Sequence, residues 1–218
     1  MTFMKTVLEK NYPIWDECLS SPFVQELKTG TLPFEKFKEY MIQDSIYIKH
    51  YARLYGAAIF CSQNLKDIQL FYSVLCFVTD SESAVRLNYL QQFGLTDDDI
   101  EQIAPLPQNQ NYIDFMLKAA ETRDICEILM AVLPCMLSYS YIFRRIASSP
   151  EAKASRYYDF IRDYAADEYF ESCKVWSDFA DRKCEALSTE GQKKMGQIFE
   201  KASLLELDFW KMAYGERP

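Results

Sequence analysis

One histidine, His50, occurs in the 218 residues. That scarcity excludes a His-based zinc centre, the paired Glu-x-x-His motifs of carboxylate-bridged di-iron proteins and any multi-histidine oxidase. A Ser-His-Asp triad would need His50 at its centre, and no flanking motif supports one. Glycine is nearly as rare, with 6 residues, against an average near 7%. No Asn-Gly or Asp-Gly turn separates alternating apolar runs, so hairpins are not expected. The 7 cysteines are odd in number and contain no C-x-x-C pair. A disulfide framework is therefore not expected, and a reducing, cytoplasmic setting is. Residues Met1 to Lys10 lack the apolar core of a signal peptide. The longest apolar run, Ile128 to Leu137, falls short of the roughly 20 residues that cross a bilayer. Basic residues are outnumbered, 24 against 32, for a net charge of −8. That is a poor footprint for nucleic acid or an anionic membrane.

What is present is apolar, charged and aromatic material in soluble-protein proportions. Apolar residues make up 49%, charged residues 26% and aromatics 15%, with 15 tyrosines and 15 phenylalanines. The length fits one domain over residues 1–218. Apolar spacing follows the helical period almost throughout. It predicts helices over about 4–18, 22–28 and 33–62, then 66–93, stopping at Gly94. Thr96 followed by Asp97, Asp98 and Asp99 is an N-cap with an acidic first turn, opening a short helix to Ile103. Pro105 and Pro107 mark a loop. Helices are expected over 109–122 and 125–148, then one bent helix or a pair over 152–187, and a last one over 190–214. The expectation is about eight helices and no strand: an all-α, single-domain helical bundle.

Candidate chemistry lies where polar residues interrupt apolar stripes. Phe37, Tyr40, Asp44, Tyr47, Ile48, Tyr51 and Tyr55 share one helix face, placing Asp44 within an aromatic stripe. A carboxylate there needs donors. Tyrosine hydroxyls or a distant arginine could satisfy it structurally, or it could bind a ligand. Cys135 and Tyr139 share a face one turn apart, beside Pro134, which removes a helix hydrogen bond. By itself this is a buried cysteine in a bent core helix. Glu206 falls between Ala202 and Phe209 on the last helix, either buried in the stripe or snorkelling at its edge. His50 has no metal-type partner at helical spacing and fits a hydrogen-bonded structural histidine. The acidic run 97–99 has no spaced ligands of the EF-hand kind.

In order and separation, several stretches resemble the TenA family, also called thiaminase II. They are Ser21-Pro22-Phe23-Val24 with Leu27, Gly30, Leu32-Pro33 and Phe37; Tyr40-x-x-Gln43-Asp44-x-x-Tyr47; the segment around Tyr112; Leu133-Pro134-Cys135-x-x-Ser138-Tyr139; and Glu206-x-x-Phe209-Trp210. The resemblance covers nearly the whole chain. It implies a heme-oxygenase-like helical fold without heme, a homotetramer, and no metal or organic cofactor. The implied reaction is hydrolysis of 4-amino-5-aminomethyl-2-methylpyrimidine, and more slowly of thiamin, to 4-amino-5-hydroxymethyl-2-methylpyrimidine. Cys135 places the chain in the family's cysteine-containing branch. The resemblance further implies roles. Asp44 grips the aminopyrimidine edge and favours ring protonation, while Tyr47, Tyr112 and Tyr164 stack on the ring. Cys135 is the nucleophile, adding to C6. Tyr139 orients thiol or ring, and Glu206 is general acid and base, its pKa raised by burial among Phe209 and Trp210. The alternatives are a non-catalytic helical module that binds a partner protein, or a heme or di-iron enzyme on the same scaffold. The second is opposed by a lone His50 lying well past the first helix.

Overall fold

A computed structural model describes residues 2–76 and 82–217. Among the described residues there are twelve helices and no strand. They are α1 (Phe3–Ser20), α2 (Pro22–Thr29), α3 (Phe34–Cys61), α4 (Leu65–Cys76), α5 (Glu82–Gln92), α6 (Asp97–Glu101), α7 (Pro107–Glu121), α8 (Ile125–Ile146), α9 (Pro150–Ala154), α10 (Tyr158–Ala165), α11 (Asp167–Cys184) and α12 (Thr189–Tyr214). The chain forms two compact units. One runs through Pro33 and resumes from Leu129 to Arg217, holding α1, α2, most of α8 and α9 to α12. The other lies within Phe34–Ile128 and holds α3 to α7.

In the first unit, local signals set the helix ends. Ser21 leaves α1 and caps α2, its hydroxyl accepting from the Val24 N–H, with Pro22 in the first helical turn. Gly30 closes α2 at φ 76°, a left-handed angle that glycine adopts freely. A Cβ there would also lie 3.2 Å from the Ser155 Cα. Ser155 in turn donates to the Leu27 carbonyl at 2.7 Å, joining the end of α2 to the corner after α9. We therefore expect Gly30→Ala to cost about 1–2 kcal/mol. Gly94, at φ 70° with open space around its Cβ position, provides the comparison. Thermal melts should place Gly30→Ala below Gly94→Ala; equal melting temperatures would dismiss the contact with Ser155.

In this unit α1 packs along α12, and ring contacts of Tyr141 with Trp15 and of Tyr139 with Trp210 join α8 to both. Trp15, fully buried, donates its indole N–H to Ser203 at 3.2 Å. The helix α8 is longer than its continuous apolar run, because Ser138, Tyr139, Ser140 and Tyr141 extend it to Ile146. An 18-residue window within its 22 residues, at mean hydropathy 1.7, is long and apolar enough to cross a membrane by length and composition, which the run alone does not suggest. Of that stretch, 78% is buried inside the protein, and Leu129, Leu133, Ile142 and Phe143 have no exposed surface, so α8 serves as a core helix.

In the second unit the long α3 packs against α4, α5, α6 and α7. Ile46, Leu90, Ile100 and Ile113 form a shared apolar cluster. Thr96 and Asp99 form a reciprocal capping box. The two Thr96 hydrogen bonds hold the Asp99 carboxyl below its ordinary pKa. The acidic run thus works as helix-start charge.

Three expectations need correction or limits. Pro107 opens α7 instead of belonging to a loop, because a missing N–H costs nothing in a first turn. The stretch 152–187 divides into three helices, which accounts for part of the excess over eight. Ser155 and Ala166 are both extended, at ψ 139° and 147°. Long-range bonds hold these corners. Ser155 is tied to Leu27, and Arg144 donates to the Ala165 carbonyl and the Asp167 carboxylate. The single helix expected over 66–93 runs through residues 77–81, outside the described residues, with α4 and α5 on either side.

Candidate active site

The second unit carries Asp44, Tyr47 and Tyr112. The stripe on α3 is formed as spaced: Phe37, Tyr40, Tyr47, Ile48, Tyr51 and Tyr55 are buried, and Asp44 among them is half-buried. Tyr112 on α7 meets Tyr47 with ring centroids 4.9 Å apart and planes at 48°. Tyr47 also touches Tyr51 at 5.7 Å, and the Tyr51 and Tyr55 hydroxyls lie 3.1 Å apart. The result is a continuous wall of phenol rings with a carboxyl on the same face. Flat apolar surfaces with polar edges suit an aromatic heterocycle.

His50 lies one residue before Tyr51, half-buried. Its Nδ1 is 3.0 Å from the Arg53 guanidinium, which can only donate, so Nδ1 accepts. Burial, then the Arg53 charge, push its pKa below the ordinary histidine value. It is a hydrogen-bonded neutral histidine, in keeping with the expected structural role.

The first unit carries Cys135, Tyr139, Tyr164 and Glu206. Cys135 is half-buried on α8, while Cys18, Cys126, Cys173 and Cys184 are buried. Burial pushes the Cys173 thiol up to about 12. It also raises Cys18, helped by the negative charge of Glu206, so these thiols are poor nucleophiles at neutral pH. Tyr139, one turn after Cys135, is boxed by three rings. Its centroid is 4.9 Å from Tyr164 on α10, 5.2 Å from Trp210 on α12 and 5.6 Å from Phe143. Glu206, one turn before Trp210, is only 2% exposed, which settles the choice between burial and snorkelling in favour of burial.

The structure therefore brings Tyr47 and Tyr112 together in one unit. In the other, ring contacts link Tyr139, which follows Cys135 on α8, to Tyr164 and to Trp210, which follows Glu206 on α12. Sequence reasoning missed Tyr169. Its hydroxyl donates to the Met136 carbonyl at 3.3 Å, next to Cys135, and its ring stands edge-on to Tyr164 at 5.4 Å. No local pattern signals that contact, because the partners are 33 residues apart.

Comparisons with known proteins find relatives along the whole chain. The chain is 32% identical to an aminopyrimidine aminohydrolase from Halalkalibacterium halodurans, over 100% of its own length and 97% of the relative's. It is 29% identical to an aminopyrimidine aminohydrolase from Helicobacter pylori, covering 92% of this chain and 93% of that one. The solved structure of a TenA family transcription regulator from Silicibacter sp. TM1040 superimposes with a TM-score of 0.89 at 25% identity, covering 98% and 97% of the two chains. The model of the TENA/THI-4/PQQC family matches residues 8–216, and the chain belongs to that family.

Proposed function

We propose that this chain, a hydrolase of the aminopyrimidine aminohydrolase kind, converts 4-amino-5-aminomethyl-2-methylpyrimidine to its 5-hydroxymethyl counterpart through a covalent Cys135 adduct, and hydrolyses thiamin more slowly. The relatives named for aminopyrimidine hydrolysis support the reaction class. The observation that carries the finer reading is the chain of contacts around Tyr139. A half-buried thiol lies one turn before it, the Tyr139 ring meets that of Trp210 at 5.2 Å, and a buried carboxyl lies one turn before Trp210.

In this reading Asp44 accepts from the 4-amino group and the neighbouring protonated ring nitrogen, a charge-assisted bidentate pair. Tyr47, Tyr112 and Tyr164 present ring faces to the heterocycle. The Cys135 thiolate adds to C6, forming a C–S bond, and the displaced ring electrons pass toward C5 and the protonated nitrogen. Their return expels the amine from the methylene carbon, and Glu206 gives that amine its proton. Glu206 then takes a proton from the water that adds to the methylene carbon. Loss of the thiolate from C6 restores the aromatic ring and releases the hydroxymethylpyrimidine. Tyr139 orients the thiol or the ring. The scheme calls for no metal or organic cofactor, and we place the enzyme in the cytoplasm as a homotetramer.

The direct test is to incubate the protein with each compound and measure hydroxymethylpyrimidine. No product from either would favour a non-catalytic binding module. A second test addresses recognition. Asp44→Ala should weaken binding of the product pyrimidine roughly 10- to 100-fold, the value of a charge-assisted hydrogen bond, and lower the rate with it. Unchanged product affinity by calorimetry would remove Asp44 from recognition.

A further inference from the structure

Next to Asp44, the side chain of Gln43 is buried and faces α7. Its Oε1 accepts from the Leu106 N–H at 2.9 Å and from Asn109 Nδ2 at 2.9 Å. The same Nδ2 donates to the Gln43 main-chain carbonyl at 2.8 Å. Pro105 and Pro107 have no N–H, so Leu106 holds the one backbone donor of this Pro-Leu-Pro segment, and Gln43 takes it. A backbone N–H can only donate, which sets the orientation of the Gln43 amide and, through it, that of Asn109.

Resting on the reading above, we propose that Gln43 and Asn109 are positioning residues. They pin the register of α7 on α3, and so hold Asp44, Tyr47 and Tyr112 at the spacing an aminopyrimidine requires. Asp44 follows Gln43 directly and Tyr47 lies one turn beyond it, while Tyr112 is three residues past Asn109. The two tyrosine rings meet at 4.9 Å only if the helices keep this register. A slip of one residue would break all three hydrogen bonds together. Stability is a poor explanation for Asn109. It has no exposed surface, and its Oδ1 has no hydrogen-bond partner among the described residues. A buried acceptor left unmet is unfavourable, and an apolar side chain would fill the same space without it.

The experiment measures product-pyrimidine Kd, kcat, KM and melting temperature on the full chain. Asn109→Ala and Gln43→Leu should each raise Kd about tenfold, since small misplacements of binding groups carry large penalties. Gln43→Glu keeps an Oε acceptor and should recover most of that loss. The effects of Asn109→Ala and Asp44→Ala should fall short of adding, because one acts through the other. Leu106 sits at φ −67°, an angle proline adopts, so Leu106→Pro removes one hydrogen bond at a φ the chain already has. It should raise Kd about threefold and keeps the idea testable if Asn109→Ala does not fold. Lower melting temperatures with unchanged Kd would overturn the proposal, as would Gln43→Glu behaving like Gln43→Leu. A wild-type protein that binds no hydroxymethylpyrimidine would overturn the pin and the functional reading together. Wild-type binding with unaffected variants would overturn the pin alone.

Discussion

Cys135→Ser should reduce hydroxymethylpyrimidine formation to background while leaving the fold intact. A serine hydroxyl is almost entirely protonated near neutral pH, whereas a thiol is partly ionised and intrinsically far more nucleophilic. Losing a nucleophile typically costs roughly 10⁴-fold or more in turnover. The position explains why the fold should survive. Cys135 is half-buried, so exchanging sulfur for oxygen leaves no fully enclosed polar group, and a change of under about 1 kcal/mol is expected. The buried thiols cannot substitute for it. Cys18 and Cys173 are both held protonated by burial, and Glu206 adds to the effect at Cys18. Stopped-flow product assays paired with thermal melts check both halves of the expectation, and mass spectrometry of wild-type protein quenched during turnover should reveal an adduct on the peptide containing Cys135. Substantial activity in Cys135→Ser would end the covalent mechanism.

The fold class was legible because apolar spacing, scarce glycine and local caps all favoured helices. Gly30, Ser21 and the Thr96–Asp99 pair stand where their chemistry places them. The breaks at Ser155 and Ala166 were not legible. What holds them is a hydroxyl reaching Leu27 and a guanidinium reaching Ala165 and Asp167, contacts between residues far apart in sequence. The candidate site divides in the same way. Periodicity alone placed Asp44 in its aromatic stripe and put Cys135 on one face with Tyr139. It could not decide whether Glu206 was buried, because the edge and the centre of a helix stripe have the same spacing. Nor could it show that Tyr164 meets Tyr139, 25 residues away. Roles for these residues came from family resemblance, and the structure adds the ring contacts of Tyr47 with Tyr112 in one unit and of Tyr139 with Tyr164 and Trp210 in the other.

Glu206→Gln should lower kcat by roughly 10²–10⁴-fold, the usual contribution of a general acid–base residue, with a smaller change in KM. The substitution keeps the shape of the side chain and removes its ability to ionise, exchanging one acceptor oxygen for an N–H donor. That distinction matters at a residue 2% exposed, between buried Leu205 and Leu207 and one turn from Trp210. A truncation there would open a cavity and confuse chemistry with packing. The amide should keep the melting temperature within a few degrees, since it preserves the volume and shape of the buried side chain. Glu206→Ala gives the complementary result. The missing carboxyl leaves room for formate, which should restore part of the rate to Glu206→Ala and none to Glu206→Gln, where the amide still fills the space. Rescue of this kind requires a proton carrier at that position, so it separates an acid–base role from a structural one. If Glu206→Gln turns over substrate at the wild-type rate, another group moves the amine and water protons. If both variants lose activity in step with melting temperature and formate restores nothing, Glu206 is a core carboxyl and the proton steps must be reassigned.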